Sequence, residues 1–77
     1  MALVRDLELV RSERYQIHDP VRASYSAFSL NGKQIVQIKT YGRSQREMPT
    51  IPSQTIQFDR TGAEAMVKIL KRAFDLT

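Results

Sequence analysis

The side chains that usually carry catalysis are nearly absent. The chain has one histidine, His18, beside Asp19, and no cysteine. A lone histidine near a turn is far more often structural or solvent-exposed than a general base. Metal clusters and thiol chemistry are equally without ligands, and no glycine-rich phosphate loop occurs. Ser24, Ser26 and Ser29 sit close together, but no base is placed to activate them. No catalytic residue, metal, cofactor or small-molecule substrate is therefore expected. Cations are what the sequence does concentrate. From Pro20 to Arg46 every charged side chain is basic, namely Arg22, Lys33, Lys39, Arg43 and Arg46, and they are interleaved with Phe28, Leu30 and Tyr41. Cations can follow a phosphate backbone while aromatic and apolar groups take the bases, so the chemistry is that of polyanion binding.

The element that must position these groups is a hairpin. Ala23–Leu30 and Lys33–Tyr41 alternate around Asn31-Gly32, and this dipeptide tolerates the positive φ that a two-residue type I′ turn demands at both positions. A two-residue loop sets the pairing: Leu30 with Lys33, Phe28 with Ile35, Ser26 with Gln37, Ser24 with Lys39 and Arg22 with Tyr41 on one face. The other face receives Ala27 with Val36, Tyr25 with Ile38 and Ala23 with Thr40, an apolar surface of small area suited to lie under a helix. Phe28 and Ile35 are expected to stand exposed among the cations of the first face.

Around the hairpin the organisation is that of a single domain over residues 1–77. Residues 1–7 read as a flexible start; Leu3, Val4, Leu7 and Val10 recur at helical spacing without a cap, and alternation at Leu7 and Leu9, then Tyr15 and Ile17, favours a strand over about Glu8–Ile17. Asp19-Pro20 ends it. Residues 42–53, with Gly42, Arg43, Arg46, Pro49 and Pro52, read as a long basic loop. Ile56 and Phe58 alternate with Thr55 and Gln57 in a strand over Ser53–Phe58. A helix follows over residues 60–75, with Asp59 able to cap it and Thr61 and Glu64 at capping-box spacing. Lys68, Lys71 and Arg72 gather near its C-terminal end, where they complement the helix dipole. Its apolar residues cover more than one stripe. Met66, Leu70, Ala73 and Phe74 suit the sheet, whereas Ala65, Ile69 and Leu76 are left to meet the helix of a second copy.

With 77 residues, only about 60% of the unfolded chain's surface can be buried, which makes oligomerisation a natural remedy. The balance of 12 Lys+Arg against 8 Asp+Glu leaves a formal charge of +4. No apolar run reaches the roughly 18 residues of a membrane span, and Arg5, Asp6 and Glu8 fall where a signal peptide would be apolar. The expectation is a cytoplasmic protein, with association with the nucleoid allowed, and no membrane partner.

Taken together, the succession L-N-G-K-Q-I-V-Q-I-K-T-Y, the R-E-M-P loop, S-Q-T-I-Q-F-D and an amphipathic C-terminal helix resembles the core of the positive cofactor four family, over roughly Tyr15 to Phe74. These are small transcriptional coactivators that bind single-stranded DNA. The resemblance implies an α+β fold, a single curved antiparallel sheet of about four strands backed by one helix, dimerised largely through the helices. It places Lys33 and Lys39 at DNA-contacting basic positions of the family, Tyr41 on its tyrosine, and Leu30 where it has an aromatic residue. Gly42 replaces a base-stacking tryptophan, Asn31 a lysine of the turn, and Gln54 a basic residue, departures that weaken the expected grip. The expected function is binding of single-stranded DNA or RNA by a homodimer, with little sequence specificity, in transcription or DNA metabolism. Arg22, Lys33, Lys39, Arg43 and Arg46 would meet phosphates, and Phe28, Leu30 and Tyr41 bases. The alternative is a protein-interaction subunit that uses the exposed apolar sheet face or an edge strand.

Overall fold

The computed structural model describes residues 1–42 and 52–77. Among these residues four strands and one helix follow in chain order: β1 (Ala2–Val4), β2 (Ala23–Leu30), β3 (Lys33–Thr40), β4 (Gln54–Phe58) and α1 (Arg60–Phe74). The fold class is α+β, one open sheet in the order β1-β4-β3-β2 with a C-terminal helix.

The hairpin forms as its turn chemistry dictates. Asn31 and Gly32 both take positive φ, 54° and 77°, and β2 pairs antiparallel with β3 in the expected register, from Ala23 opposite Thr40 to Leu30 opposite Lys33. The Tyr41 amide donates to the Arg22 carbonyl at 3.0 Å, which carries the ladder one residue past β3. β4 then adds antiparallel to the far side of β3, with Val36 opposite Phe58 and Gln37 opposite Gln57.

Two expectations about the first third of the chain need correction. The sheet is mixed, not wholly antiparallel, because β1 pairs parallel with β4, Leu3 opposite Gln57. The short strand lies in the stretch read as a flexible start, and no strand forms over Glu8–Ile17. Side chains capture the backbone there instead. The Ser12 hydroxyl donates to the Arg14 carbonyl at 2.9 Å and accepts from the Arg14 amide at 3.2 Å. The Tyr15 hydroxyl takes the Ser12 amide at 2.8 Å. Local bonds of this kind compete directly with a strand ladder.

The helix starts where Asp59 accepts from the Gly62 amide at 2.9 Å. That bond, followed by the Arg5 guanidinium 3.0 Å away, holds the Asp59 carboxyl below its ordinary value of 3.8 against the opposing effect of burial. Thr61 therefore lies inside the helix and is not the cap of a capping box. Glu64 instead pairs with Arg60 at 3.2 Å, one turn apart. The helix ends at Asp75, in the left-handed conformation with φ 55°, and Lys71 and Arg72 occupy the last turn. Gly62 is buried because β1 passes against it. A Cβ there would overlap the Val4 carbonyl and come within 3.3 Å of Arg5 Cα. The terminal strand, the helix start and the Arg5–Asp59 ion pair thus form one joint.

A cavity of about 430 Å³ between sheet and helix is lined by Val36 and Phe58 from the strands and by Thr61 and Ala63 from the helix. Val36 and Phe58 are cross-strand partners, so the helix begins on the face they share with Ile38 and Ile56. Coverage of that face is partial: Val36 and Ile38 are half-buried, Ala27 is exposed, and Tyr25 is 80% exposed. On the helix only Ala63, Ala65 and Met66 are half-buried beside Gly62. Leu70, Ala73 and Phe74, expected against the sheet, are exposed, and Ala65, expected to face a partner, is partly covered by its own chain. Ile69 and Leu76 are exposed as the dimer expectation requires. Among the described residues no helix is long and apolar enough to cross a membrane.

Candidate nucleic-acid interface

Strand alternation puts Arg22, Ser24, Ser26, Phe28 and Leu30 of the first arm on the same face as Lys33, Ile35, Gln37, Lys39 and Tyr41 of the second, and the cross-strand register confirms each pair between β2 and β3. Thr55 and Gln57 of β4 and Leu3 of β1 extend this face across all four strands. None of these positions holds a carboxylate. The acids nearest in sequence to β4, Asp59 and Glu64, are already engaged by Arg5 and Arg60. Neither Lys33 nor Lys39 has a carboxylate in its own row of the face.

At one end the side chains form a connected group. The Arg22 guanidinium carbon lies 5.0 Å from the centroid of the Tyr41 ring, within the range of a cation–π contact. The Tyr41 hydroxyl is 3.0 Å from Ser24 Oγ. Lys39, directly opposite Ser24, is half-buried, and a lysine so placed can cover apolar surface with its stem while its ammonium reaches for water or an anion. Arginine, tyrosine and lysine therefore converge on one corner, with the ring held by a cation and by a hydroxyl.

The opposite end is looser. Lys33 and Leu30 face each other beside the turn, both exposed, Leu30 by 62%. Lys33 also lines the cavity bordered by Arg5, Asp59 and Arg60, whose two arginines are each paired with a carboxylate. Phe28 is half-buried, and Ile35 opposite it is the most buried apolar side chain among the described residues, 9% exposed. That overturns the expectation of Ile35 as an exposed group. It belongs to a small apolar floor with Phe28; of the three apolar residues expected as contacts only Leu30 is exposed, and Leu3 of β1 is a further exposed apolar side chain on the face. Arg43 and Arg46 lie outside the described residues.

The centre of the face contains two residues that sequence reading passed over. Gln57 Nε2 donates to Gln37 Oε1 at 2.8 Å, bridging β4 and β3 between half-buried side chains. Glutamine alternating with apolar residues reads as a solvated strand face, and nothing local marks two amides twenty positions apart as partners. Thr55, next along β4, is buried opposite Lys39. Among the described residues no group of three or more metal-ligating side chains comes together. Comparison with protein-family models, curated proteins and solved structures yields no match.

Proposed function

We propose that the protein is a non-enzymatic module of the cell interior that binds single-stranded DNA or RNA across the face built by β2, β3 and β4, and that it works as a homodimer in transcription or DNA metabolism. The observation that carries this reading is the acid-free sheet face with the Arg22–Tyr41–Ser24 group and Lys39 at one end and Lys33 with Leu30 at the other. Such a surface supplies the two terms that single strands need, cations along the backbone and a fixed aromatic ring for stacking, and neither depends strongly on sequence. A duplex is read by a helix or ribbon entering a groove, and here the shallow face is broad and the helix begins on the other side.

The homodimer rests on the thin core. Val67, Ile69, Leu70, Phe74 and Leu76 of the helix segment are exposed, and Ile35 alone of the apolar side chains in the described residues is buried. A second copy laid against the helix would remove that surface from water, as small domains commonly require. The resemblance to the positive cofactor four family points the same way.

The test is a fluorescence titration of labelled single-stranded and duplex oligonucleotides at two salt concentrations. With about three to five phosphates neutralised, log affinity for single strands should fall against log salt with a slope of about −2 to −3.5. Lys33→Glu with Lys39→Glu should abolish binding while the circular-dichroism spectrum is kept. A flat salt response, or equal binding by this variant and the parent, refutes the reading. A second reading has one observation in its favour: β2 stands at the end of the sheet order and carries no charge and no proline, the devices that normally blunt an edge against strand addition. If oligonucleotides fail to bind, partner capture that is lost with Ala27→Pro would favour it, since the alternation set by the Tyr41–Arg22 bond turns the Ala27 amide away from β3.

A further inference from the structure

We infer that the β2 edges of two copies of this chain join antiparallel about Ser26, so that their sheets become one continuous sheet. The inference stands on the edge itself and goes beyond the nucleic-acid reading.

The two ends of the sheet are unlike. β1 offers three residues, short enough to blunt an edge. β2 offers eight, every one exposed except the half-buried Phe28. The Tyr41 amide donates to the Arg22 carbonyl, which makes Arg22 and Tyr41 a hydrogen-bonded pair and fixes the alternation of the ladder. Ser24, Ser26, Phe28 and Leu30 therefore turn their backbone groups to β3. Ala23, Tyr25, Ala27 and Ser29 turn theirs outward, a row of amides and carbonyls beyond which no other strand of the described residues lies.

Charge and symmetry select a second copy as the occupant. The chain carries a formal charge of +4, so most approaches of one copy to another oppose cations. β2 holds no charged residue, and two such edges can meet at hydrogen-bond distance without that repulsion. Identical strands paired antiparallel close on a two-fold axis. With Ser26 opposite Ser26 of the second copy, every outward residue finds an outward partner inside the strand: Ala23 with Ser29 and Tyr25 with Ala27, in both directions, each pair exchanging two bonds. Sliding the register by two residues either way pushes an end residue past the limits of the strand. The side chains agree with this register. Arg22 falls opposite Leu30 of the second copy and not opposite a cation. Tyr25, 80% exposed on the side where the helix begins, gains Ala27 of the second copy as a cross-strand neighbour. The contact uses no helix residue and is separate from the helix pairing proposed above.

The experiment is site-directed disulfide trapping. The chain has no cysteine, so a single introduced thiol can link only to its own counterpart in another copy. Ser26→Cys puts the two thiols at a non-hydrogen-bonded antiparallel pair, where Cα atoms stand about 4.5 Å apart and a disulfide can close. Ser24→Cys lies on the same strand and face, but its two thiols are separated by about 13 Å along the strands, too far to bridge. Under mild oxidation Ser26→Cys is expected to give the linked dimer on a non-reducing gel about tenfold or more faster than Ser24→Cys. Adding Ala27→Pro removes an outward amide while sparing the ladder to β3, and should bring the Ser26→Cys rate down to that of Ser24→Cys. Adding Ile69→Asp on the helix should leave it unchanged. Each variant is first shown to keep the circular-dichroism spectrum of the parent. Equal rates for the two thiols, or a Ser26→Cys rate that falls with Ile69→Asp and not with Ala27→Pro, overturns the inference. Neither result touches the nucleic-acid reading, which falls only if the oligonucleotide titration fails.

Discussion

Replacing Gly62 by alanine should destabilise the protein, although in an isolated helix the same change would help. Alanine is favoured over glycine in a helix interior by about 1 kcal/mol. Here the added methyl would overlap the Val4 carbonyl and approach Arg5 Cα, and both obstacles are backbone atoms that no rotamer change can move. Either the strand and helix separate under strain, at about 1–3 kcal/mol for an overpacked site, or β1 leaves β4 and the three registered pairs from Ala2 to Val4 are lost. The Arg5–Asp59 contact would loosen with it. Setting the packing cost against the propensity gain leaves a net loss of up to about 2 kcal/mol. For a domain of this size that lowers Tm by up to about 15 °C, since each kcal/mol is worth about 4–8 °C. The assay is thermal unfolding followed by circular dichroism at fixed protein concentration, for the parent, Gly62→Ala, a variant lacking residues 1–5, and the combination. In the truncated background the obstacle is gone and alanine should become stabilising by about 1 kcal/mol. A higher Tm for Gly62→Ala in the full chain, or the same effect in both backgrounds, would refute the joint between β1 and the helix start.

Three further outcomes are expected. The Asp59 carboxyl is held below 3.8 in the fold, so its contribution to stability is complete above the ordinary carboxylate value and is lost as the pH falls through the lowered one; Asp59→Asn should flatten the acid limb of a Tm-against-pH curve. Tyr41→Leu should weaken single-strand binding by about 1–3 kcal/mol, the worth of one stacked base, with the salt slope unchanged, as anisotropy at several salt concentrations will show. Ile69, exposed on the helix, should matter to association more than to the fold: Ile69→Asp is expected to raise the dimer dissociation constant about tenfold or more in sedimentation equilibrium. A parent that sediments as a monomer at micromolar concentration would remove the dimer from the proposal.

The parts of the fold legible in the sequence are those governed by neighbours along the chain. Asn31 and Gly32 turn because these residues accept positive φ, and a two-residue turn leaves one register for Ala23 to Thr40, which is the register found. Asp59 caps the helix because its carboxylate reaches an amide three residues on. From alternation alone it follows that Arg22, Lys39 and Tyr41 share a face with Lys33 and Leu30. Tertiary structure decided everything that joins distant segments. Val4 meets Gly62, Leu3 takes a parallel place beside Gln57, and Gln37 finds Gln57, each through a contact with no local signature. Burial also belonged to the assembled sheet: Phe28 and Ile35 form a floor on the face read as exposed, while Tyr25 on the face read as core remains in solvent. Alternation tells which residues share a side, but only the packed elements decide how much of each side is covered.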